Sequence, residues 1–256
     1  MFLSYMINAM SEPQYTQRHT DIITSTLAYG RRSLTVKLEP IYCHQYHRFI
    51  AFELLSQIRC HHHIESSARF WRALSDSAHK KLTKQLTTIA HHILVRHHQT
   101  TTPRLFINIR ADHLSDEAYI KALQIIASPF PVCLEVTEDS LPPNHHAFSQ
   151  LVSTTSSMGI SVALDDFGAA KANLDQVLNV PFDIVKIDKD IFRSLLSKPN
   201  LLQDLVYLIK NHTVNVVIEG CETYSDFVLT QSLNVMTQGY FFNDFNEGEW
   251  SLNKQT

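Results

Sequence analysis

Seven short apolar runs in this 256-residue chain each carry at least one ionisable or amide residue at or near their C-terminal end. Glu53 lies in Phe-Glu-Leu-Leu, Asn108 in Phe-Ile-Asn-Ile and Glu135 in Cys-Leu-Glu-Val. Asp165 and Asp166 end Val-Ala-Leu-Asp-Asp, and Lys186 and Asp188 lie in Ile-Val-Lys-Ile-Asp. Glu219 follows Val-Val-Ile, and Gln238 sits in Thr-Gln-Gly-Tyr. One charge inside an apolar strand costs several kcal/mol unless it is paired or bound to a cation. The chain must therefore bring these ends to one place, and a barrel mouth at the C-terminal edge of parallel strands does so.

The runs themselves agree with that geometry. Strands are expected at residues 34–42, 49–55, 104–109, 132–137, 160–164, 184–187, 214–218 and 236–241, most of them continuously apolar as in a sheet covered on both faces. Helical patterns separate them, at 78–96, 116–127, 145–157, 201–211 and 225–233; in the first of these Leu82, Leu86, Ile89 and Ile93 recur at helical spacing. A further helix is expected at 20–28, capped by Thr20 or Asp21 and ended by Gly30. The first two strands are too close for a crossover helix, so they pair antiparallel. The expected fold class is α/β, a TIM-like (β/α)8 barrel with an antiparallel first strand, over residues 20–256 after an N-terminal extension of residues 1–19. A doubly wound open sheet is the alternative, but no Gly-x-Gly-x-x-Gly follows any strand.

Five carboxylates around one mouth repel each other and drive their own pKa values up unless cations sit among them. The donors are almost all oxygens, which favours Mg²⁺ or Mn²⁺, with Ca²⁺ as an inhibitor, over a thiolate-bound metal. Five acidic groups exceed what one ion needs, and two ions roughly 3.5–4 Å apart are the usual device for phosphoester cleavage. Lys186 can hold the attacking water, or assist proton removal if its pKa is depressed.

Net charge of −3 leaves no global field for a nucleic-acid polymer, so a nucleotide ligand needs a local site. Cys43, Cys60, Cys133 and Cys221 form no Cys-x-x-Cys pair, and Cys133 lies in an apolar run and is expected as a buried thiol in a reducing cytosol. The histidine runs at 61–63, 91–92, 97–98 and 145–146 are expected on the surface rather than on a metal. The N-terminus lacks the basic and long apolar regions of a signal peptide. No apolar run reaches the roughly 18 residues that span a bilayer. The expected localisation is cytoplasmic, with no membrane partner.

In this order the motifs resemble the EAL phosphodiesterase domain over roughly residues 20–245. Leu38-Glu39-Pro40-Ile41 stands at the family's Gln-Pro-Ile strand and Glu53-Leu54-Leu55 at its name-giving triplet. Phe106-Ile107-Asn108, Leu134 to Glu138, Asp165-Asp166-Phe167-Gly168, Lys186-Ile187-Asp188, Glu219-Gly220-Cys221-Glu222-Thr223 and Gln238-Gly239-Tyr240 match the rest. The resemblance implies metal-dependent hydrolysis of cyclic di-GMP to linear pGpG, as a signalling enzyme of motility and biofilm control, with two Mg²⁺ or Mn²⁺ ions. It implies Glu53, Asn108, Glu135 and Asp165 on the first metal, and Asp165, Asp166 and Glu219 on the second. It implies catalytic roles for Lys186, Glu53, Glu222 and Gln238, and a loop-stabilising role for Glu138. Substrate-binding positions would be Glu39, Leu55, Gln57, Asp188 and Gln238. A homodimer through the face near the loop after Gly168, and a regulatory protein partner, are compatible with it.

The chain departs from the family at several places. Glu39 replaces a Gln and Gln57 an Arg, which removes a bidentate phosphate contact and adds a negative charge. The loop after Gly168 runs Ala169-Ala170-Lys171-Ala172-Asn173 and lacks the family's Gly, while Lys171 adds a positive charge. The segment from Glu219 to Gln238 is one residue shorter, and the Pro after Gln-Gly-Tyr is missing. These departures leave open an alternative: a degenerate member with weak or no hydrolysis that acts by binding cyclic di-GMP or a protein.

Overall fold

The computed structural model describes residues 25–29, 31–61, 63–98, 101–169, 174–213 and 215–242. The described residues open with a four-stranded ribbon of β1 (Ser25–Tyr29), β2 (Arg32–Cys43), β3 (Arg48–Cys60) and β4 (His63–Glu65). Helices α1 (Ser67–Arg72) and α2 (Asp76–His97) lead to β5 (Arg104–Asn108), α3 (Glu117–Ala127), β6 (Val132–Thr137), α4 (His145–Ser157) and β7 (Ser161–Phe167). Then come α5 (Leu174–Asn179), β8 (Ile184–Ile187), α6 (Lys189–Leu195), α7 (Pro199–Lys210), β9 (Asn215–Ile218), α8 (Tyr224–Ser232) and β10 (Met236–Gln238).

Eight strands run β2-β10-β9-β8-β7-β6-β5-β3 around a barrel that the β2–β3 pairing closes. β2 is antiparallel to both neighbours and the other contacts within the barrel are parallel. The expected (β/α)8 barrel with an antiparallel first strand is what forms, and the open sheet is excluded by closure. Side chains alternate across each strand. Leu105, Ile107, Leu134, Val162, Leu164, Val185, Ile187, Val216 and Ile218 pack outward into the large core beneath the helices. Ile41, Ala51, Phe106, Cys133, Ala163, Ile184, Val217 and Met236 face the other way and fill the barrel as a separate small cluster. Helix α2 starts at Ser75, whose side chain accepts from the Ala78 N–H, and it buries Leu82, Leu86 and Leu94 against the barrel. Ile89 and Ile93 only border the core, so the buried stripe runs one position over from the sequence pattern.

Several expectations are corrected. Of the helix expected at 20–28, residues 20–24 lie outside the described residues, and Ser25 to Ala28 belong to β1. Tyr29 pairs with Arg32, so a strand pairing stands where the sequence suggests a helix stop; Gly30 lies outside the described residues. β1 and β4 extend the sheet beyond the eight barrel strands. Helices α1, α5 and α6 were not expected, because six or seven residues are too few for a helical period to show. β10 stops at Gln238, short of the expected residue 241, and Tyr240–Phe242 forms a 3-10 turn. Gly239 causes this stop. Its φ is +148°, and a Cβ there would lie 2.4 Å from the Cys221 carbonyl oxygen. The turn is tied back by hydrogen bonds from Cys221 N–H to Gln238 O (3.0 Å) and from Phe241 N–H to Cys221 O (2.9 Å).

Cys43, Cys60, Cys133 and Cys221 are all free, and Cys133 is fully buried inside the barrel, where burial pushes its thiol pKa well up. The described histidines of the runs are half-buried or exposed; the buried ones are His44, His79 and His113. Among the described residues, no helix is long and apolar enough to cross a membrane.

Gly239→Ala is expected to destabilise the fold by about 1–3 kcal/mol, since it forces a side chain into the Cys221 backbone at a strained φ. Urea unfolding checks this, and an unchanged midpoint would contradict the packing described.

Candidate metal centre

The polar residues of the mouth stand two positions beyond the apolar residues that fill the barrel. Ala51 leads to Glu53, Phe106 to Asn108, Cys133 to Glu135 and Ala163 to Asp165; Ile184 leads to Lys186, Val217 to Glu219 and Met236 to Gln238. Two residues is one pleat period, so each polar side chain sits on the same inner face, one layer higher. β2 runs the opposite way, and there Glu39 precedes Ile41 by the same step and pairs with Glu53.

Asp166 breaks the alternation. On a regular strand it would face away from Asp165. Its φ is +56°, and the β7–β8 register shifts between Leu164 and Phe167. This bulge-like irregularity lets both carboxylates reach the mouth. Oxygens of Asp165, Asp166 and Glu219 lie within 4.8 Å of one another, as do those of Glu53, Glu135 and Asp165. Asp165 belongs to both groups. Just beyond, the Gly168 N–H donates to Glu138 Oε2 (3.1 Å), which ties the end of β7 to the turn after β6.

Lys186 is buried at the centre. Its Nζ lies 3.1 Å from Glu53 Oε2, 2.8 Å from Glu135 Oε1, 2.9 Å from Asp165 Oδ1 and 2.7 Å from Glu219 Oε1. Burial alone would lower its pKa, but the surrounding carboxylates, Asp165 and Glu135 foremost, hold it well above the ordinary lysine value. Lys186 is therefore an ammonium in this arrangement. As an ammonium it can hold a water or a phosphoryl oxygen. Glu53 stays ionised: burial pushes it up, but the Lys186 charge and hydrogen bonds from Gln238, Lys186 and Asn108 outweigh that and hold it below the usual range. Gln238 Nε2 donates to Glu53 Oε2 at 2.6 Å. Asn108 Nδ2 donates to Glu53 Oε1 at 3.0 Å and to Glu135 Oε2 at 3.2 Å.

One ammonium does not satisfy five carboxylates. Burial and the Glu53 charge push Glu135 well up, and burial pushes Asp165 up as well. Asp166 rises to about 6 through burial and the neighbouring Asp165, and Glu219 to about 8, chiefly through burial. Glu135 Oε1 and Asp165 Oδ1 lie close to Lys186 yet receive no well-directed hydrogen bond, and Gln238 Oε1 is buried without a partner. Orphaned buried oxygens, surplus negative charge and an all-oxygen donor set fit hard divalent cations. Asn108 fits only with its amide turned over, because its nitrogen now faces the glutamates.

The other expected site residues have partners outside this ring. Glu222 turns away to Arg193 (3.2 Å). Asp188 is buried and caps α6, accepting from the Asp190 N–H at 2.8 Å. Gln57 is exposed on the ribbon and accepts from Arg59 at 3.4 Å. Leu55 is half-buried opposite Lys37. Glu39 sits 3.5 Å from Lys37. Of the loop at 169–173, residues 170–173, Lys171 included, lie outside the described residues. Arg193 was not anticipated. It bonds Asp226 Oδ2 at 3.0 Å, Glu222, and the Gly220 carbonyl oxygen, and so pins the loop that carries Glu219. It stands on the unexpected helix α6, and no motif spacing marks it.

Raised carboxyl pKa values favour the protonated, metal-free fold. Its stability is full below the unfolded-state values near pH 4 and falls as pH rises through about 6 and about 8. The thermal midpoint of chelated protein is expected to drop between about pH 4 and about pH 8, and Glu219→Gln to flatten that drop; identical pH slopes would refute the assignment. Arg193→Ala is expected to weaken Mn²⁺ binding by about tenfold in calorimetric titration, by loosening the Glu219 loop.

The comparisons agree with this geometry. The family model described as EAL domain matches residues 25–244. The cyclic di-GMP phosphodiesterase PdeR of Escherichia coli K12 is 28% identical over 148 residues, which cover 54% of this chain and 22% of that protein. The cyclic di-GMP phosphodiesterase PA2567 of Pseudomonas aeruginosa is 27% identical over 137 residues, covering 50% and 23%. The chain thus matches under a quarter of the length of these curated relatives. A manganese and cyclic di-GMP complex of Klebsiella pneumoniae BlrP1 superposes with a TM-score of 0.66 at 19% identity, over 86% of this chain and 57% of that one. A standalone EAL protein from Vibrio cholerae O395, bound to cyclic di-GMP, gives 0.65 at 18% identity, over 88% and 92%. With its barrel, its ordered motifs and a family match across nearly all the described residues, the chain belongs to the EAL domain family.

Proposed function

We propose that the chain hydrolyses cyclic di-GMP to linear pGpG in a divalent-metal-dependent reaction. The observation that carries this reading is the buried ring of Glu53, Glu135, Asp165 and Glu219 around Lys186, with Asp166 beside it, whose surplus charge one ammonium cannot balance. The names of the relatives support the substrate class. One water is consumed: its oxygen forms a new bond to phosphorus, the bond from phosphorus to a ribose 3′ oxygen breaks, and a proton ends on that oxygen.

Mg²⁺ or Mn²⁺, held by Glu53, Asn108, Glu135 and Asp165 at one position and by Asp165, Asp166 and Glu219 at a second, would activate water and neutralise phosphoryl charge. Lys186 presents a fixed ammonium at the mouth and can orient the water or a phosphoryl oxygen. Gln238 positions Glu53 through its 2.6 Å hydrogen bond. Glu138 steadies the Asp165–Gly168 turn, and Asp188 acts here as a helix cap close to Asp166. Glu222 serves indirectly, through Arg193. Leu55, Gln57 and Glu39 line the ribbon face above the mouth, where the substrate would lie. The free cysteines fit action in a reducing cytoplasm.

Capture of cyclic di-GMP without turnover is the second reading. The Glu39 carboxylate beside Glu53 favours it, since it adds negative charge where an anion must approach.

Purified protein with Mn²⁺ or Mg²⁺ is expected to yield pGpG from cyclic di-GMP by chromatography, and chelator to abolish the product. Glu53→Ala is expected to lower turnover by at least about a hundredfold. Equal inertness of wild type and variant would remove the enzymatic reading.

A further inference from the structure

The ribbon continues the inner face of the barrel past the metal centre. Glu39 pairs with Glu53, Lys37 with Leu55, Thr35 with Gln57 and Ser33 with Arg59, with no irregularity in that stretch. Directly paired residues share a face of the sheet, and so do residues two apart. Lys37, Glu39, Glu53, Leu55, Gln57 and Arg59 therefore project from one side, while Leu34, Val36, Leu38, Leu54 and Ile58 are buried on the other. On the other flank of β2, the turn after its neighbour β10 brings Tyr240 to the same place. The Lys37 Nζ lies 5.9 Å from the centre of its ring. Tyr240 is 65% exposed, and the Lys37 side chain 43% exposed.

We propose that Lys37 and Tyr240 form a nucleotide subsite that binds the second phosphate and a base of the cyclic dinucleotide while the first phosphate lies at the metal centre. This rests on the cyclic di-GMP reading above. The substrate is a small ring with two anionic phosphates and two purines, so a group serving the second half must stand near the metal centre without being in it. At about 3.3 Å per residue, Lys37, level with Leu55, stands about 7 Å along the ribbon from Glu53. Arg59, on the same face, is about 20 Å away by the same spacing and out of register with so small a ring. A lysine ammonium is a competent point-charge partner for phosphate, and an exposed tyrosine ring accepts a stacked base. Glu39 holds the Lys37 ammonium at 3.5 Å and competes with an incoming phosphate. That competition gives the proposal a signature that a purely structural role for Lys37 would lack: removing the lysine and removing its carboxylate partner move affinity in opposite directions.

The test is calorimetric titration of the full chain with cyclic di-GMP in the presence of Ca²⁺. Lys37→Met is expected to raise the dissociation constant by about tenfold and Lys37→Glu by more, while Glu39→Gln lowers it. In the Lys37→Met background the benefit of Glu39→Gln is expected to vanish. Thermal melts establish that each variant folds, and because the lysine is half-exposed the Met variant is expected to melt with wild type. Equal affinity of wild type and Lys37→Met overturns the subsite while leaving the proposed activity standing. A Glu39→Gln gain that persists without Lys37 also overturns it. Wild-type protein that hydrolyses no cyclic di-GMP with Mn²⁺ and binds none with Ca²⁺ overturns both.

Discussion

The ammonium of Lys186, buried among carboxylates from β3, β6, β7 and the end of β9, is the contact around which the mouth of this barrel is arranged. Bringing Glu53, Glu135, Asp165 and Glu219 together out of water is unfavourable, because each is desolvated and each repels the others. Lys186 offsets part of that cost and leaves the rest as raised carboxyl pKa values and orphaned oxygens. The same imbalance that makes the metal-free mouth a weak point of the fold fits it to hold divalent cations. Stability and ion binding are thus two readings of one electrostatic deficit, which metal binding relieves.

Geometry supplies the deficit through a simple rule. An inner apolar layer and an outer polar layer, one pleat period apart, repeat on strand after strand. Among the described strands the rule is broken where the adjacent carboxylates of Asp165 and Asp166 both reach the mouth. There Asp166 adopts a left-handed backbone at the register shift in β7, and the Glu138 contact to Gly168 holds the following turn. Local strain concentrated at a site of this kind is typical of functional positions. Arg193 does comparable work on the other side by fastening the loop that follows Glu219.

The ribbon of β1 to β4 gives the barrel an asymmetric rim. Its inner face continues directly from Glu53 through Leu55, Gln57 and Lys37. Charge along that face is mixed, with Glu39 and Lys37 paired and Arg59 leaning on Gln57.

Much of this was legible in the residues themselves. Polar groups ending apolar runs, at Glu53, Asn108, Glu135, Asp165, Lys186, Glu219 and Gln238, implied a parallel barrel and a shared oxygen-rich mouth, because period-2 alternation and the cost of burying charge are local properties of a strand. The β1 strand was not legible, since Ser25–Tyr29 is held by pairing with β2 rather than by its own pattern. The short helices α1, α5 and α6 carry too few residues to show a period, and Arg193 was hidden with them. Only the folded chain decided that Lys186 is ringed by four carboxylates that hold its charge, that Glu222 and Asp188 turn to Arg193 and to a helix cap, and that Asn108 presents its nitrogen. Protonation and orientation depend on distances between residues up to 185 positions apart, as between Gln238 and Glu53, and no local pattern encodes them.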